Sequence, residues 1–345
     1  MLHWLQKVPI AFLWWSASVA NASILGLEGC AVTDWEKAFF QDYDPFGFIL
    51  FARNIGTPEQ LRKLTDDLRI AVGRDAPILI DQEGGRVQRM AGPHWRNWLP
   101  PLEQASRATD PARSFYLRSR IMADELRAVG IDVNCAPTCD IAGDITHPFL
   151  RNRCLGTDPA TVIMNARATA DGLLAGGVLP VIKHMPGHGR GTVDSHLDLP
   201  IADIPVDLAH AWDFAPFRAL NDLPMGMTAH IIFPAFGDSP ATQNPLLLKV
   251  IRDSIGFDGL LMTDDISMQA LSGDVATRAT ASIAAGCDVV LHCNGFRTEM
   301  QAVANAVGPM TLPAQTRADA ALDQRKTPDD VDISALSAEL EALLG

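Results

Sequence analysis

The sequence predicts an α/β fold, a single (β/α)8 barrel of the TIM type, and three observations carry that expectation. Capped amphipathic helices alternate with short apolar strands, the pattern of βα units in a parallel sheet. Eight such apolar runs can be counted, the number that closes a barrel. No Ser/Gly linker or break in composition divides the 345 residues. An open doubly wound sheet is the alternative. Neither a G-x-G-x-x-G after the first strand nor a G-x4-G-K-[ST] is present, so the nucleotide-binding signals of such sheets are absent.

In chain order the eight runs are SILGLEG, GFILF, PILID, DVNCAP, LPVIKH, MGMTAH, GLLMTD and CDVVLH. They are nearly all apolar, as strands buried on both faces must be. Helices are announced by a capping residue followed by proline. Thr57-Pro58-Glu59-Gln60 has the Thr and Gln of a capping box with Pro at the first helical position. Leu61, Leu64 and Leu68 then share one face, and Gly73 ends the helix. Asp110-Pro111 opens a second helix, with Phe115, Met122, Leu126 and Val129 leading to Gly130. Asp158-Pro159 opens a third that ends around Gly176-Gly177. Asn244-Pro245 opens a fourth, through Leu248, Ile251 and Ile255 to Gly256. After about Pro309 the chain becomes polar, and SALSAELEALL is expected as a terminal helix on the barrel exterior.

The composition is that of a globular protein, 48% hydrophobic and 20% charged. That is enough apolar material for a sizeable core. Acidic residues outnumber basic ones by 41 to 28, a net charge of −13, so nucleic acid is not an expected partner. Six cysteines are too sparse for a disulfide framework. Cys135 and Cys139 form a C-x3-C pair without a second pair at zinc-like spacing, and with Cys287 and Cys293 they are expected as small buried hydrophobes. No later segment offers about 18 uncharged apolar residues, so no membrane span is expected.

Residues 1–22 stand apart from the domain expected over 23–345. Lys7 precedes VPIAFLWWSASVA, and Ala20-Asn21-Ala22 has the small-x-small form of a signal cleavage site. The thin basic region, Pro9 and the bulky Trp14-Trp15 argue instead for an extension of the domain.

In a barrel, function belongs at the carboxyl ends of the strands. Asp81 to Arg89 follow PILI, Lys183 to His196 follow LPVI, His230 follows MGMTA, and Asp264 and Asp265 follow GLLMT. The segment Lys183–His196 admits three chemistries. His184, His188, Asp194 and His196 are legitimate metal ligands, but the spacing is not that of a helical zinc motif. The glycines admit a phosphate loop, without the Lys-Ser/Thr that should follow. Asp194 and His196, two apart in extended chain, point to one side, so the carboxylate can orient an imidazole that gives and takes protons near neutrality. Asp264 and Asp265 face opposite ways, so only one aims at the barrel axis. Spacing does not say which.

The strings Ile80 to Arg89, KHMPGHGRGTVDSH and GFDGLLMTDDISM resemble the bacterial β-N-acetylhexosaminidases of glycoside hydrolase family 3, from about residue 24 to about residue 300. The resemblance implies a single-domain (β/α)8 barrel that removes terminal β-linked N-acetylglucosamine from cell-wall muropeptides in peptidoglycan recycling. It implies Asp264 as nucleophile, His196 as general acid/base and Asp194 as its orienting partner, in a retaining two-step displacement. Asp81, Arg89, Arg153, Lys183 and His184 fall on positions that resemble the family's sugar-binding residues, and His230 lies at a similar sixth strand end. No cofactor or metal is implied. The expected partner is a small carbohydrate, an N-acetylglucosamine-anhydromuramyl peptide, bound by a monomer. The implied compartment is the cytoplasm, or the periplasm if residues 1–22 are a cleaved signal. Gly187, Gly189 and Gly191 are expected to let the loop swing His196 in and out. Met185 and the Cys154-Leu155 pair depart from the family's usual residues and are expected to bear on substrate fit. A β-glucosidase or β-xylosidase of the same family, a sugar-binding barrel without catalysis, and a metal-dependent hydrolase are the alternatives.

Overall fold

The computed structural model describes residues 19–193 and 198–345. Most of the N-terminal extension, and both Asp194 and His196, lie outside the described residues. Eight parallel strands close a barrel: β1 (Asn21–Leu25), β2 (Pro45–Leu50), β3 (Ile78–Ile80), β4 (Val133–Asn134), β5 (Leu179–Met185), β6 (Met225–Thr228), β7 (Leu260–Asp265) and β8 (Val289–His292). Each expected apolar run supplies one strand. Neighbours pair in chain order, and β8 closes on β1 with Ser23 opposite Val290. Closure excludes the open sheet. Among the described residues no helix is long and apolar enough to cross a membrane.

The shortest strand, β4, does most to position the cavity rim. Beyond Asn134 the backbone still bonds to β5, the Val181 amide donating to the Ala136 carbonyl at 3.0 Å and the Lys183 amide to the Pro137 carbonyl at 3.2 Å. Toward β3, past the Cys135 amide on the Ile80 carbonyl, the Asn134 side chain continues the pairing. Its Oδ1 accepts the Gln82 amide at 3.0 Å and its Nδ2 donates to the Gln82 carbonyl at 3.0 Å. Both groups are thereby satisfied in the interior, as buried polar groups must be. The chain passing through Asp81 is held at the barrel rim before it turns into a small antiparallel hairpin, Gln82–Gly84 with Val87–Gln88.

The capping signals hold, with two refinements. Thr57, Asp110 and Asp158 cap Pro58–Val72, Pro111–Ala128 and Pro159–Ala175 through the expected side-chain oxygens. Gln60 does not complete its capping box. Its Oε1 accepts the Gly56 amide at 2.7 Å, and its Nε2 reaches the carbonyls of Cys30 and Asn54, so it ties together the loops after β1 and β2. Asn244 caps Pro245–Lys249, but the helix then widens into a π turn over Val250–Ser254. Leu248, Ile251 and Ile255 are buried as their spacing requires.

The tail is more structured than its polarity implies. It holds two helices, Leu312–Leu322 and Ile333–Leu344. The signal lies in Ala314, Ala318 and Ala321, all buried, a small-residue stripe that lets the first helix lie close to the barrel beside β7. The terminal helix packs outside, on Pro111–Ala128.

Two buried aspartates fasten this tail across the amino-terminal end of the barrel. Asp132, just before β4, accepts the Ile78 amide at 2.8 Å and pairs with Arg325 at 2.7 Å and Arg69 at 3.2 Å. Asp288, just before β8, accepts the Leu261 amide at 2.9 Å and pairs with Arg252 at 2.6 Å and Arg317 at 3.1 Å. Each carboxylate thus joins a neighbouring strand, a helix and the tail. Removing one partner of a buried pair costs more than the pair contributes, because the remaining charge loses its compensation. Asp288→Ala should lower the unfolding free energy by about 3 kcal/mol, and Asp288→Asn by less, since its amide oxygen can still accept from Leu261. Urea melts check this; an Ala variant as stable as the parent would mean that the tail is held by its alanine face alone.

Candidate active site

A cavity of about 230 Å³ opens at the carboxyl ends of the strands. Asp81, Arg89, Arg153, Lys183, His184 and Asp264 all line it, so residues from β3, the loop after β4, β5 and β7 converge on one space.

One wall is an ion lattice. Asp81 and Glu83, two apart along extended chain, point the same way. The Lys183 ammonium lies between them, 2.9 Å from Asp81 Oδ1 and 2.6 Å from Glu83 Oε1. Arg89 Nη2 donates to Asp81 Oδ2 at 2.9 Å. Arg153 grips Glu83 with both ends of its fork, at 2.9 and 2.8 Å. Burial alone would push both carboxyls up, but the neighbouring cations outweigh it. Asp81 is held well below the usual range by Lys183 and Arg89, and Glu83 falls to about 2 under Arg153 and Lys183. Burial would likewise lower Lys183; the two carboxylates raise it instead. The two carboxylates, Lys183 and Arg153 are all ionised at neutral pH.

The support for this wall lies behind it. Arg118, 2% exposed, donates to the Glu83 carbonyl, the Leu99 carbonyl and the Gln104 side chain. Gly84 follows at φ +100°, and a Cβ there would collide with the Arg118 guanidinium. Only glycine fits.

A second group is built on Asp140. Its Oδ2 accepts from His184 Nδ1 at 2.7 Å, and its Oδ1 accepts the His188 amide at 2.6 Å. Burial would raise the Asp140 carboxyl, yet His184 and the His188 contacts hold it down. The carboxylate fixes the ring so that His184 Nε2 faces Arg153 Nη2 at 3.5 Å. A cation in that position is a poor neighbour for a metal ion. Among the described residues no three His, Cys, Asp or Glu side chains converge as a metal site.

The adjacent aspartates on β7 now separate. Asp265 Oδ1 accepts the amides of Ser267 and Cys293, and Oδ2 accepts the Ser267 hydroxyl. It fastens the β7 and β8 loops together. Asp264 Oδ1 accepts only the Asp265 amide, at 2.8 Å, and Oδ2 has no partner among the described residues. Burial would raise the Asp264 carboxyl; His184, His230, the Asp265 amide and Lys183 together lower it. It is an ionised carboxylate with one oxygen turned to the cavity.

Two expectations are corrected. His230 does not line the cavity: it is fully buried, with Nδ1 on the Thr242 hydroxyl at 2.8 Å and Nε2 donating to the Asp265 carbonyl at 3.0 Å. It holds the backbone of the aspartate pair from behind. Met185, Cys154 and Leu155 are buried in the packing around the barrel and do not line this cavity, so they bear on packing rather than substrate fit. The loop glycines are closely packed, while the expected swing of His196 concerns a residue outside the described ones. A Cβ at Gly187 would lie 2.9 Å from the Asp213 carbonyl, at Gly189 2.2 Å from the Ile141 carbonyl, and at Gly191 2.7 Å from the His188 ring. Of the cysteines, Cys135, Cys139, Cys154 and Cys287 are buried, Cys30 is exposed, and Cys293 lines the cavity.

The glycosyl hydrolase family 3 N-terminal domain matches residues 23–324. The chain belongs to that family. It is 37% identical to a beta-hexosaminidase of Alkalilimnicola ehrlichii, over 79% of this chain and 80% of that one. A beta-hexosaminidase of Chromobacterium violaceum is 36% identical, over 84% and 83%. Among solved structures, NagZ from Neisseria gonorrhoeae in complex with N-trifluoroacetyl-D-glucosamine superposes with a TM-score of 0.83 at 29% identity, covering 95% of this chain and 99% of that one.

In this family 3 barrel, sequence reasoning does not single out Glu83 or Asp140. The alternation Asp81-x-Glu83 is a signal for the first, since both side chains must share a face. Asp140 has no local pattern; only the fold brings it under His184. His188 sits in the same buried group. Burial pushes its imidazole down to about 4, Asp140 opposing and His184 adding to the fall. In the unfolded chain it titrates near ~6.5. The unfolded state therefore binds the extra proton between these values, so this contribution to stability is full above ~6.5 and lost as pH falls toward about 4. His188→Gln should flatten the pH dependence of urea unfolding across that window. An unchanged slope would place the acid sensitivity elsewhere.

Proposed function

We propose that the chain is a retaining exo-β-N-acetylhexosaminidase, with Asp264 as its nucleophile. One observation carries the reading. Five carboxylates gather at the carboxyl ends of the strands, and four are engaged: Asp81 and Glu83 in the ion lattice, Asp140 with two histidines, Asp265 with the loops. Asp264 alone of the five keeps an oxygen without a partner among the described residues. A nucleophilic carboxylate must be ionised and unencumbered on the side from which it attacks.

The rest of the cavity suits a sugar. At about 230 Å³ it is smaller than the ~300–1,000 Å³ of pockets for drug-sized ligands, room for one ring rather than a run of them, which favours action at a chain end. Asp81, Arg89, Arg153, Lys183 and His184 offer fixed donors and acceptors to its hydroxyl and acetamido groups. Arg89 Nε is buried and unpaired among the described residues, a donor that a bound hydroxyl would satisfy. Asp264 attacks the anomeric carbon and the glycosidic C–O bond breaks. His196, oriented by Asp194, donates a proton to the departing oxygen. Water, deprotonated by His196, then releases the sugar from Asp264. Most retaining glycosidases use a second carboxylate for the proton; here an imidazole takes that part. The names of the relatives and the glucosamine-derived ligand of the gonococcal structure support N-acetylglucosamine as the sugar. We further propose that the natural substrates are N-acetylglucosaminyl-anhydromuramyl peptides, cleaved in the cytoplasm by a monomer during peptidoglycan recycling.

Nitrophenol release from the β-N-acetylglucosaminide and β-glucoside of p-nitrophenol tests the activity. The N-acetyl substrate should be strongly preferred, and Asp264→Ala should lose about 10³-fold or more in kcat. Preference for the glucoside would keep the mechanism and change the substrate class. His196→Ala should lose far less on nitrophenyl sugars, whose leaving group needs no proton, than on a disaccharide; equal losses would contradict the acid role.

A further inference from the structure

Asp140 reaches the cavity wall because the chain after β4 runs on beside β5. Thr138 lies opposite Lys183 in parallel pairing, and the Cys139 amide donates to the Lys183 carbonyl at 2.6 Å. The next residue, Asp140, is thereby set against His184. Asp140 is 1% exposed, and its two oxygens face different groups. Oδ1 accepts from the backbone, the His188 amide at 2.6 Å and the His184 amide at 3.4 Å. Oδ2 accepts from the His184 ring at Nδ1.

This division fixes where the imidazole carries its proton. A carboxylate has no hydrogen to give, so the Nδ1 lying 2.7 Å from Oδ2 is the donor. On the other side of the ring, Nε2 faces Arg153 Nη2 at 3.5 Å. A guanidinium nitrogen only donates, so Nε2 meets it with a lone pair. At that distance the lone pair is open to a shorter bond. The rest of the wall is rich in donors, and Asp81 and Glu83 already hold the cations beside them. His184 Nε2 is therefore an uncharged acceptor at the cavity.

We propose that Asp140 is a positioning residue: it holds His184 as the Nδ1–H tautomer, so that Nε2 accepts a hydrogen from a hydroxyl or amide of the bound sugar. This rests on the glycosidase reading and adds to it a residue that touches no substrate and acts through His184. Asp140→Asn inverts the arrangement with almost no change of shape. The two backbone amides still require an oxygen at the Oδ1 position, so the new NH2 group faces His184 Nδ1. The ring proton must then sit on Nε2. The wall presents a donor, to the Arg153 guanidinium and to the sugar alike, where it presented an acceptor.

Nitrogen NMR of the full chain with isotope-labelled histidine reads the tautomer directly, and His184→Gln identifies the signals by their loss. In the parent, Nε2 should resonate as the bare nitrogen and Nδ1 as the protonated one; in Asp140→Asn the two should exchange. A bare Nδ1 in the parent, two protonated nitrogens, or a pattern unchanged by Asp140→Asn overturns the proposal whether or not the protein is active. Kinetics read the consequence. On the p-nitrophenyl N-acetylglucosaminide, Asp140→Asn should lose about 10- to 100-fold in kcat/KM, the scale of a buried polar group left facing the wrong partner. In a His184→Ala background the same substitution should cost about twofold or less, since the ring it acts through is gone. Equal losses in both backgrounds would assign the effect to the His188 amide and overturn the role given to the tautomer. The expected exchange of signals in a parent that cleaves no N-acetyl sugar would sustain the tautomer assignment and sink the glycosidase reading alone.

Discussion

The Lys183 ammonium, buried between Asp81 and Glu83, is the interaction on which the site depends. A charge removed from water is costly, and two carboxylates side by side are costlier still. Here each is compensated twice: Lys183 and Arg89 on Asp81, Lys183 and Arg153 on Glu83. A fully satisfied buried network is rigid because every departure leaves a charge unpaired. That rigidity carries into function. It fixes three cations and two carboxylates beside a space large enough for one ring, and it keeps Asp81, Glu83, Lys183 and Arg153 ionised.

The barrel accommodates this lattice by dividing labour between its two ends. At the amino-terminal end, Asp132 and Asp288 bind arginines of the tail and of surface helices, and their work is stability. At the carboxyl end the same residue types are turned inward. Asp265 and His230 hold the β7 rim, Asp140 holds the His184 imidazole and the His188 backbone amide, and Arg118 holds the hairpin from below. What remains is Asp264, ionised by its surroundings and without a partner on one oxygen among the described residues. In the mechanism we propose, preorganised charge of this kind would stabilise a developing oxocarbenium ion without reorganising during the reaction.

The strands and most helices are legible because their causes are local. Apolar runs of strand length, Asp-Pro and Asn-Pro caps, and closing glycines each act within a few residues. The first tail helix escapes a reading by polarity because its buried stripe is alanine, which is neither strongly apolar nor polar. Among site residues, Asp81, Lys183, His184 and Asp264 are legible as polar groups at strand ends, and the family resemblance gives them roles. The choice between Asp264 and Asp265 is not open to spacing alone, since it turns on which carboxylate the loop amides occupy. His230 reads as a substrate ligand because it ends a strand; its ring is instead taken up by Thr242 and a carbonyl. The loop glycines have a local packing reason as well, since neighbouring backbone and rings fill the space where a Cβ would stand.

The most direct measurement is identification of the residue that becomes glycosylated. A 5-fluoro-N-acetylglucosaminyl fluoride forms the covalent intermediate quickly and releases it slowly, so the labelled protein can be digested and its peptides sequenced by mass spectrometry. The label should be found on Asp264, joined as an ester. A label on Asp265 or Glu83 would contradict the assignment of Asp264 as the one carboxylate free to attack. Hydrolysis with inversion and no labelled peptide would remove the nucleophile altogether and leave Asp264 as a base for water.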